Sequence, residues 1–510
     1  MSTMKKRTSI VCTIGPSSES EEMIRSLIAE GMDVARINFS HCPYDEAEAR
    51  MEKLLRIREE LNVPLATMLD TKGPEVRVGG FSGTINLLKG DRITISSHQS
   101  TELLPQSSCE CIVTTNLPDI HSLCKVGTRV LLQDGFVGGK VVAIESARNA
   151  IVVEIDGDGK LREKAHLAIP GAKYPLPFMS DKDRKDIEFG VKNRFDYIAL
   201  SFVRKAEDIE LVRNLVREID PKWRMGLIAK IEDREALDNL DSIIAASDGV
   251  MVARGDLGVE VAIEKLPMLQ KQIIEKCYRS GKPVIVATQM LESMTDKTYP
   301  TRAEVTDVAN AAHDLASAVM LSGETANGAH PCLVVDMMRR IVLEAEHGID
   351  FEKASATNRD IIDRSDLNNI IAYGALTTAR ECGAKAIVVL TSTGRSARGI
   401  SKFRPEIPIH AFTFDKLVKH QLALAWGVTP HYIEDDGGTM GTLVPRILRY
   451  CSELGIVSKG EKVVLAAGLP LGEAKTLNML RVETVGDENG WTDRRSPSGE
   501  LSENKANPFL

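Results

Sequence analysis

The chain has 510 residues, with 64 basic against 72 acidic side chains for a formal net charge of −8, and is 43% hydrophobic and 27% charged. Those values exclude a disordered chain. The mildly acidic total argues against nonspecific nucleic-acid binding, which needs clustered positive charge. The length predicts about three or four domains of roughly 100–200 residues each. No apolar stretch reaches the roughly 18 residues of a membrane span. The basic start, residues 1–9, leads into an alternating segment rather than a signal-peptide core. Nine cysteines, an odd number, read as reduced thiols of a cytoplasmic protein. Cys109, Cys111, His121 and Cys124 could in principle hold zinc. Their CxC start is not a zinc knuckle and no second close pair completes a set, so ordinary thiols are the better reading.

Short β-branched runs alternate with charged amphipathic stretches from residue 9 to about 350. Strands are predicted at 9–14, 34–38, 65–70, 197–201, 226–230, 250–253, 284–288 and 318–321. Helices are predicted at 19–30, 44–61, 206–219, 263–280 and 301–312. Such alternation implies parallel strands with right-handed crossovers, and eight units predict an α/β fold, a (β/α)8 TIM barrel of residues 1–75 and 176–350. The interval from Asp70 to Tyr197 is far too long for one crossover. Its Val, Ile, Gly and Thr content and turns such as Lys89-Gly90-Asp91 and Asp134-Gly135 predict a small all-β domain inserted at 76–175. Pro170-Gly171 and Pro175-Leu176-Pro177 mark the return hinge. Beyond residue 350, strands at 386–390, 409–412 and 463–466 with helices at 367–381, 417–425 and 442–454 predict a doubly wound α/β domain, 351–484. Residues 485–510 lose apolar content and read as a flexible tail.

In such a barrel the active site lies at the carboxyl ends of the strands. The second strand ends in Arg36-Ile-Asn38-Phe-Ser40-His41 and the third in Asp70-Thr71-Lys72-Gly73-Pro74-Glu75. The fifth ends in Lys230-Ile-Glu232-Asp233, the sixth in Arg254-Gly255-Asp256, the seventh in Thr288-Gln289 and the eighth in Ser322-Gly323-Glu324. Turn chemistry explains one such ending easily and six poorly. Glu232 and Asp256 are candidate Mg²⁺ ligands, because that hard ion takes one or two carboxylates plus substrate oxygens. Lys230, two residues from Glu232 on an extended strand, shares its side. An isolated Lys-x-Glu is usually a surface ion pair; at a strand end it suits charge developing on a transferring phosphoryl group. Gly255 lets a ligand approach the backbone. Asn38, Ser40, Asp70 and Thr71 offer a low-charge oxygen cage for a weakly charged cation, although each could serve a turn or cap. Arg36, Lys72 and Arg77 add positive charge for anionic substrates. Thr288 supplies a hydroxyl for positioning or for proton delivery through water. There is no Walker-type phosphate loop, no strand-borne GxGxxG, no HExxH and no GxSxG elbow, so any nucleotide phosphates must be held by metal and basic side chains.

At these residues the sequence resembles the pyruvate kinase family: VCTIGP (11–16), ARINFSH (35–41), LDTKGPE (69–75), AKIE (229–232), MVARGDLG (251–258), ATQMLESM (287–294), PTRAE (300–304) and MLSGETA (320–326). The matches run through the barrel in order and extend more weakly into the other domains. The resemblance implies transfer of a phosphoryl group from phosphoenolpyruvate to ADP, giving pyruvate and ATP. It assigns Glu232 and Asp256 to Mg²⁺, and Asn38, Ser40, Asp70 and Thr71 to K⁺. It implies that Lys230 stabilises the phosphoryl group and enolate and that Arg36 grips the phosphate. Gly255 and Asp256 contact the substrate, and Thr288 lies near the face where the enolate is protonated. Asn38, His41, Arg77 and Lys164 face the nucleotide. The resemblance further implies that the inserted domain closes as a lid, and the family is usually a homotetramer. Glu75, where K⁺-independent members tend to carry Lys, implies K⁺ dependence, whereas Val78 stands where dependent members usually have Thr. Cys42, Asn327 and the hinge sequence 174–180 also depart from the family pattern without removing a catalytic group.

In the C-terminal domain Thr391-Ser392-Thr393-Gly394-Arg395-Ser396 follows a predicted strand. Its hydroxyls and backbone N–H groups suit a phosphate, and it resembles the family's sugar-phosphate effector loop; a turn and cap cluster is the alternative. The loop 468–478 is poorer in glycine than the strongest effector-binding versions, so the effector, a sugar phosphate or nucleotide, is unnamed. Two further readings compete: a Mg²⁺-dependent lyase or aldolase of the same barrel type, and a catalytically silent sugar-phosphate-binding regulator. The first leaves the nucleotide-side residues and lid unexplained. The second is opposed by Lys230, Glu232, Asp256 and Thr288 occurring together.

Overall fold

The computed structural model describes residues 6–97, 111–351, 361–470 and 476–486. Cys109, residues 471–475 of the later loop and nearly all of the expected tail lie outside them. All eight strands predicted for the barrel form it: Ser9–Thr13, Val34–Asn38, Ala66–Asp70, Tyr197–Leu200, Gly226–Ile231, Gly249–Ala253, Val284–Ala287 and Ala318–Leu321. They pair in parallel with their chain neighbours, and the first pairs with the eighth, Ser9 opposite Ala318. Almost every residue in them is buried. That is why they read as continuous Val, Ile and Ala runs rather than alternating ones: parallel strands are covered on both faces.

Capping residues set where the helices begin. Ser180 and Asp183 form a reciprocal capping box that starts the helix Asp181–Lys192 and returns the chain to the barrel. Thr301 and Glu304 do the same for Arg302–His313. The stretch predicted as one helix over 263–280 divides into a 3₁₀ turn, Ile263–Lys265, and an α-helix, Leu266–Ser280, with a proline in its first turn. Proline is tolerated there because that turn has no intrahelical use for its missing N–H.

The inserted segment builds a seven-stranded sheet and a two-stranded ribbon, Thr84–Leu87 with Gly159–Arg162, around its own apolar cluster running from Val76 to Ile169. The edge strands of the larger sheet, Val78–Gly79 and Leu167–Ala168, are brought together by a bridge between Arg77 and His166. Within it, Cys111 and Cys124 are free thiols and His121 Nδ1 lies 2.6 Å from Asn149 Oδ1.

The C-terminal domain has five strands in the order Val428–Tyr432, Ile409–Thr413, Ala386–Leu390, Lys462–Ala467, Met479–Thr484, the last antiparallel. Both edge strands escape the sequence reading. Val428–Tyr432 contains Pro430, which an edge tolerates, and Met479–Thr484 lacks a buried run. The predicted helix 417–425 is a shorter helix, Lys416–Gln421, followed by a 3₁₀ turn, Leu422–Leu424. That turn matters for the whole molecule. Ala423 and Leu424 join the inward-facing residues of the barrel strands, among them Val11, Val34, Met68, Ile228 and Met320, in one apolar cluster. Ser9 Oγ donates to Ala423 O at 2.7 Å and Tyr197 Oη to Gln421 O at 2.6 Å. Gly226 makes room for this, since a Cβ there would lie 2.4 Å from the Tyr197 ring.

Candidate active site

At the other end of the barrel a cavity of about 210 Å³ is lined by residues from seven of the eight strands or their ends. The third strand ends in Asp70, 1% exposed and flanked by two cations. Arg36 Nε donates to its Oδ2 at 2.7 Å, and Lys230 Nζ to its Oδ1 at 3.1 Å. Burial alone would raise the Asp70 pKa, but Arg36 and then Lys230 outweigh it and hold the carboxylate below its usual range. Arg36 is fixed on its other side by Thr13, at 2.8 Å. Lys230 also donates to Ser201 Oγ at 2.6 Å and lies 3.0 Å from Glu232 Oε1. Burial works against its charge, yet Asp70 and Glu232 carry its pKa above the ordinary value, so Lys230 is a permanent ammonium.

Glu232 is likewise 1% exposed. Burial lifts its pKa to about 7 against the pull of Lys230, with Asp256 adding to the rise. One oxygen, Oε2, accepts the Phe202 N–H at 2.5 Å. The other faces Lys230 off the hydrogen-bonding direction and, among the described residues, has no hydrogen-bond donor. Asp256 is raised as well, by burial first and then by Glu75, Asp134 and Asp70, with Lys230 opposing.

The seventh strand delivers Thr288 in a strained backbone. Its φ is +69° and that of Gln289 is +55°, a region costly for a β-branched residue. Arg254 holds this turn, donating to Ala287 O at 3.2 Å and to Thr288 O at 2.6 Å while pairing with Asp307. The Thr288 hydroxyl accepts the Gly255 N–H at 2.9 Å and donates to Ala287 O. Gly255 therefore acts first as a backbone donor that aims Thr288.

The cavity thus brings together Arg36, Asn38, Ser40, His41, Asp70, Lys72, Arg77, Lys230, Glu232, Asp256 and Thr288. Thr71, Lys164 and Gly255 are not among its lining residues. Thr71 is buried behind, its carbonyl accepting Ser201 Oγ and its hydroxyl accepting the Ser201 N–H. Lys164 is exposed on the inserted domain and contributes its carbonyl to Arg77. Three charged strand-end residues are structural. Asp233 caps the helix Arg234–Asp238, Glu324 binds the N–H groups of Ser322 and Leu291, and Arg254 braces the Thr288 turn. Ser201 is the residue that sequence reasoning missed. It ends the fourth strand and touches both Lys230 and Thr71, so extending the strand-end argument to that strand would have found it.

The donor sets fit the ions they suggest. Buried Glu232, with one oxygen that has no hydrogen-bond donor among the described residues, and half-buried Asp256 carry more negative charge than Lys230 alone balances, which suits a divalent cation. Asn38 Oδ1, which among the described residues accepts only the Ser40 N–H, and the Ser40 hydroxyl, Asp70 carboxylate and Thr71 carbonyl suit a monovalent ion, with Asp70 shared between that ion and its two cations.

A (β/α)8 barrel whose carboxyl end gathers cations and metal-suited carboxylates into one cavity defines an enzyme for anionic substrates. Residues 5–335 match the family described as pyruvate kinase, barrel domain, and residues 369–483 match pyruvate kinase, alpha/beta domain. Two curated relatives, both named pyruvate kinase, are similar over nearly the whole chain. The one from Staphylococcus epidermidis is 40% identical over 484 residues, covering 95% of this chain and 81% of its own. The one from Clostridium acetobutylicum is 39% identical over 481 residues, covering 94% and 100%. The crystal structure of a pyruvate kinase from Cryptosporidium parvum superposes with a TM-score of 0.87 at 34% identity, covering 94% and 96% of the two chains. The chain belongs to the pyruvate kinase family of kinases.

Proposed function

We propose that the protein transfers the phosphoryl group of phosphoenolpyruvate to ADP, giving pyruvate and ATP, in the cavity at the carboxyl end of the barrel. The observation that carries this reading is Lys230: a permanent ammonium held by Asp70, Glu232 and Ser201 at the same mouth as Arg36. Phosphoryl transfer asks mainly for positioning and charge neutralisation, and both are present. Arg36, with Nε committed to Asp70 and Nη1 to Thr13, keeps its remaining amino group for a phosphoryl oxygen. Lys230 neutralises charge on the moving phosphoryl group and on the enolate left behind. Gly255 and Asp256 border the substrate, and Thr288 orients a proton, directly or through water, toward the enolate. Asn38, His41, Arg77 and Lys164 receive the nucleotide. The inserted domain excludes water when it closes, since water would otherwise take the phosphoryl group. A Cβ built on Gly135 of its turn would lie 3.8 Å from Val259, in the helix Arg254–Glu260 that follows the sixth strand, which supports its reach to the mouth.

Glu232 and Asp256 would hold Mg²⁺, which when bound neutralises phosphoryl oxygens. Asn38, Ser40, Asp70 and Thr71 would hold K⁺, in keeping with Glu75. The loop Thr391, Ser392, Thr393, Gly394, Arg395, Ser396 would take a phosphorylated effector, a sugar phosphate or nucleotide; Gly394 sits at φ +76° with its N–H on Thr391 Oγ1. Among the described residues no helix is long and apolar enough to cross a membrane, and we place the enzyme in the cytoplasm as a homotetramer. The test is a coupled assay with phosphoenolpyruvate and ADP. Activity is expected to require ADP, to vanish on Mg²⁺ chelation and to rise with K⁺ over Na⁺. Pyruvate release without ADP would overturn the phosphotransfer reading, and full rate without K⁺ would overturn the monovalent site.

A further inference from the structure

The loop that follows the second barrel strand faces two ways. Asn38, Ser40 and His41 line the cavity, whereas Phe39 between them is buried in the protein. The Phe39 ring packs against Tyr44, Phe189 and Phe195, with centroids 6.0, 5.5 and 6.1 Å away. Its N–H donates to Asp70 O at 2.9 Å. Its carbonyl accepts from Lys182 Nζ at 2.9 Å and, among the described residues, from no other donor.

Lys182 stands where a cation does little for its own helix. It is the second residue of Asp181–Lys192, in the turn that carries the positive end of the helix dipole. Its partner Asp186 lies four residues later, the weaker order for such a pair. The ammonium is nonetheless fully engaged. Besides Phe39 O it donates to both Asp186 oxygens, at 3.0 and 2.7 Å, and it lies 6.0 and 5.9 Å from the Phe39 and Tyr44 ring centroids. Asp186 is buried and also accepts the Tyr44 hydroxyl at 2.6 Å. A surface ion pair is usually worth little; a buried carboxylate held from two sides is instead a fixed mount for the ammonium.

The Phe39–Ser40 peptide carries this contact into the cavity. Its carbonyl is the group that Lys182 holds, and its N–H, from Ser40, donates to Asn38 Oδ1 at 3.1 Å. An ammonium on the carbonyl polarises the peptide and strengthens the hydrogen bond that its N–H makes. It also fixes the plane of the peptide, because a turned peptide would leave a buried carbonyl without a donor. The Asn38 amide oxygen is thereby aimed, and Ser40 is set beside it.

We propose that Lys182, mounted on Asp186 and Tyr44, is a positioning residue for the monovalent-cation site, orienting Asn38 Oδ1 and the Ser40 hydroxyl through the Phe39 carbonyl. The inference rests on reading Asn38 and Ser40 as donors to K⁺. Lys182 sets how tightly the ion is held, not the rate once it is bound.

The experiment is a K⁺ titration of the full chain, with ionic strength held by tetramethylammonium chloride. It is read as the rise in thermal midpoint without substrates and as the coupled rate with phosphoenolpyruvate and ADP. The wild type is compared with K182M, which keeps an apolar stem, with K182R, and with Y44F, which removes only the hydroxyl on Asp186. By both readouts K182M should need at least about tenfold more K⁺ for half-saturation, the scale of one charge-assisted hydrogen bond. Its rate at saturating K⁺ should stay within about threefold of the wild type's. K182R should restore half-saturation to within about threefold, and Y44F should raise it by at least about twofold. Unchanged half-saturation in K182M would overturn the proposal, as would a thermal midpoint lowered equally at every K⁺ concentration, the mark of a merely structural lysine. If K182M does not fold, unchanged half-saturation in Y44F overturns it. No K⁺ response in the wild type would overturn the cation reading itself, and this inference with it.

Discussion

In the proposed phosphoryl transfer the chemistry concentrates on Lys230, and its replacement is the sharpest test. K230M should lower kcat by at least about 100- to 1,000-fold, the scale of losing a preorganised charge at the transition state, with the circular dichroism spectrum unchanged; near-normal turnover would defeat the assignment. S201A removes the 2.6 Å contact that aims Lys230. It should cost about ten- to a hundredfold in kcat with little change in KM for phosphoenolpyruvate, since the group lost orients rather than binds. An equal rise in KM would show Ser201 touching substrate instead. Most of the cavity was legible before any coordinates, because strand ends in a barrel converge and residue type then indicates chemistry. What was not legible is which polar strand-end residues face inward. Asp233, Arg254 and Glu324 look as functional in sequence as Glu232 and Asp256, but a cap, a brace and a backbone ligand are distinguished only by where the next turn goes.

At the scale of elements, two joints fix how the barrel carries its site. The return hinge is pinned by Tyr174, whose hydroxyl accepts the Ile169 N–H at 2.7 Å and donates to Glu260 Oε1 at 3.2 Å. Burial pushes the Glu260 carboxyl from 4.5 up to about 7. The folded state therefore keeps a proton that the unfolded chain has already lost between those values. The stability this confers is complete below about pH 4.5 and disappears as pH rises through 7. E260Q should flatten the pH dependence of the thermal midpoint between pH 5 and 8, and a slope equal to the wild type's would refute the hinge as its source. The second joint is the capping box at Thr301, whose Glu304 also binds Ser293. T301A should cost about 1 kcal/mol, read as a fall in denaturation midpoint with the spectrum of the folded state unchanged. The strand pattern of the barrel was fully readable because burial on both faces leaves long apolar runs. The C-terminal edge strands were not, because an edge can hold a proline or exposed residues and still pair.

For the whole molecule, the decisive contact is at the end of the barrel remote from the chemistry, where Leu424 is fully buried among inward-facing strand residues. L424A should cost about 2–5 kcal/mol, as large-to-small changes in a packed core do, read as a fall in the denaturation midpoint of the full chain; an unchanged midpoint would show that the domains do not depend on this contact. Because the floor of the barrel is furnished by another domain, the catalytic unit is not a self-sufficient cassette. A gene fragment stopping at residue 350 would encode an unsealed cylinder with a greasy open end, which should be recovered as aggregate. Any lineage that shortened the protein from its C-terminus would have had to supply a new stopper first.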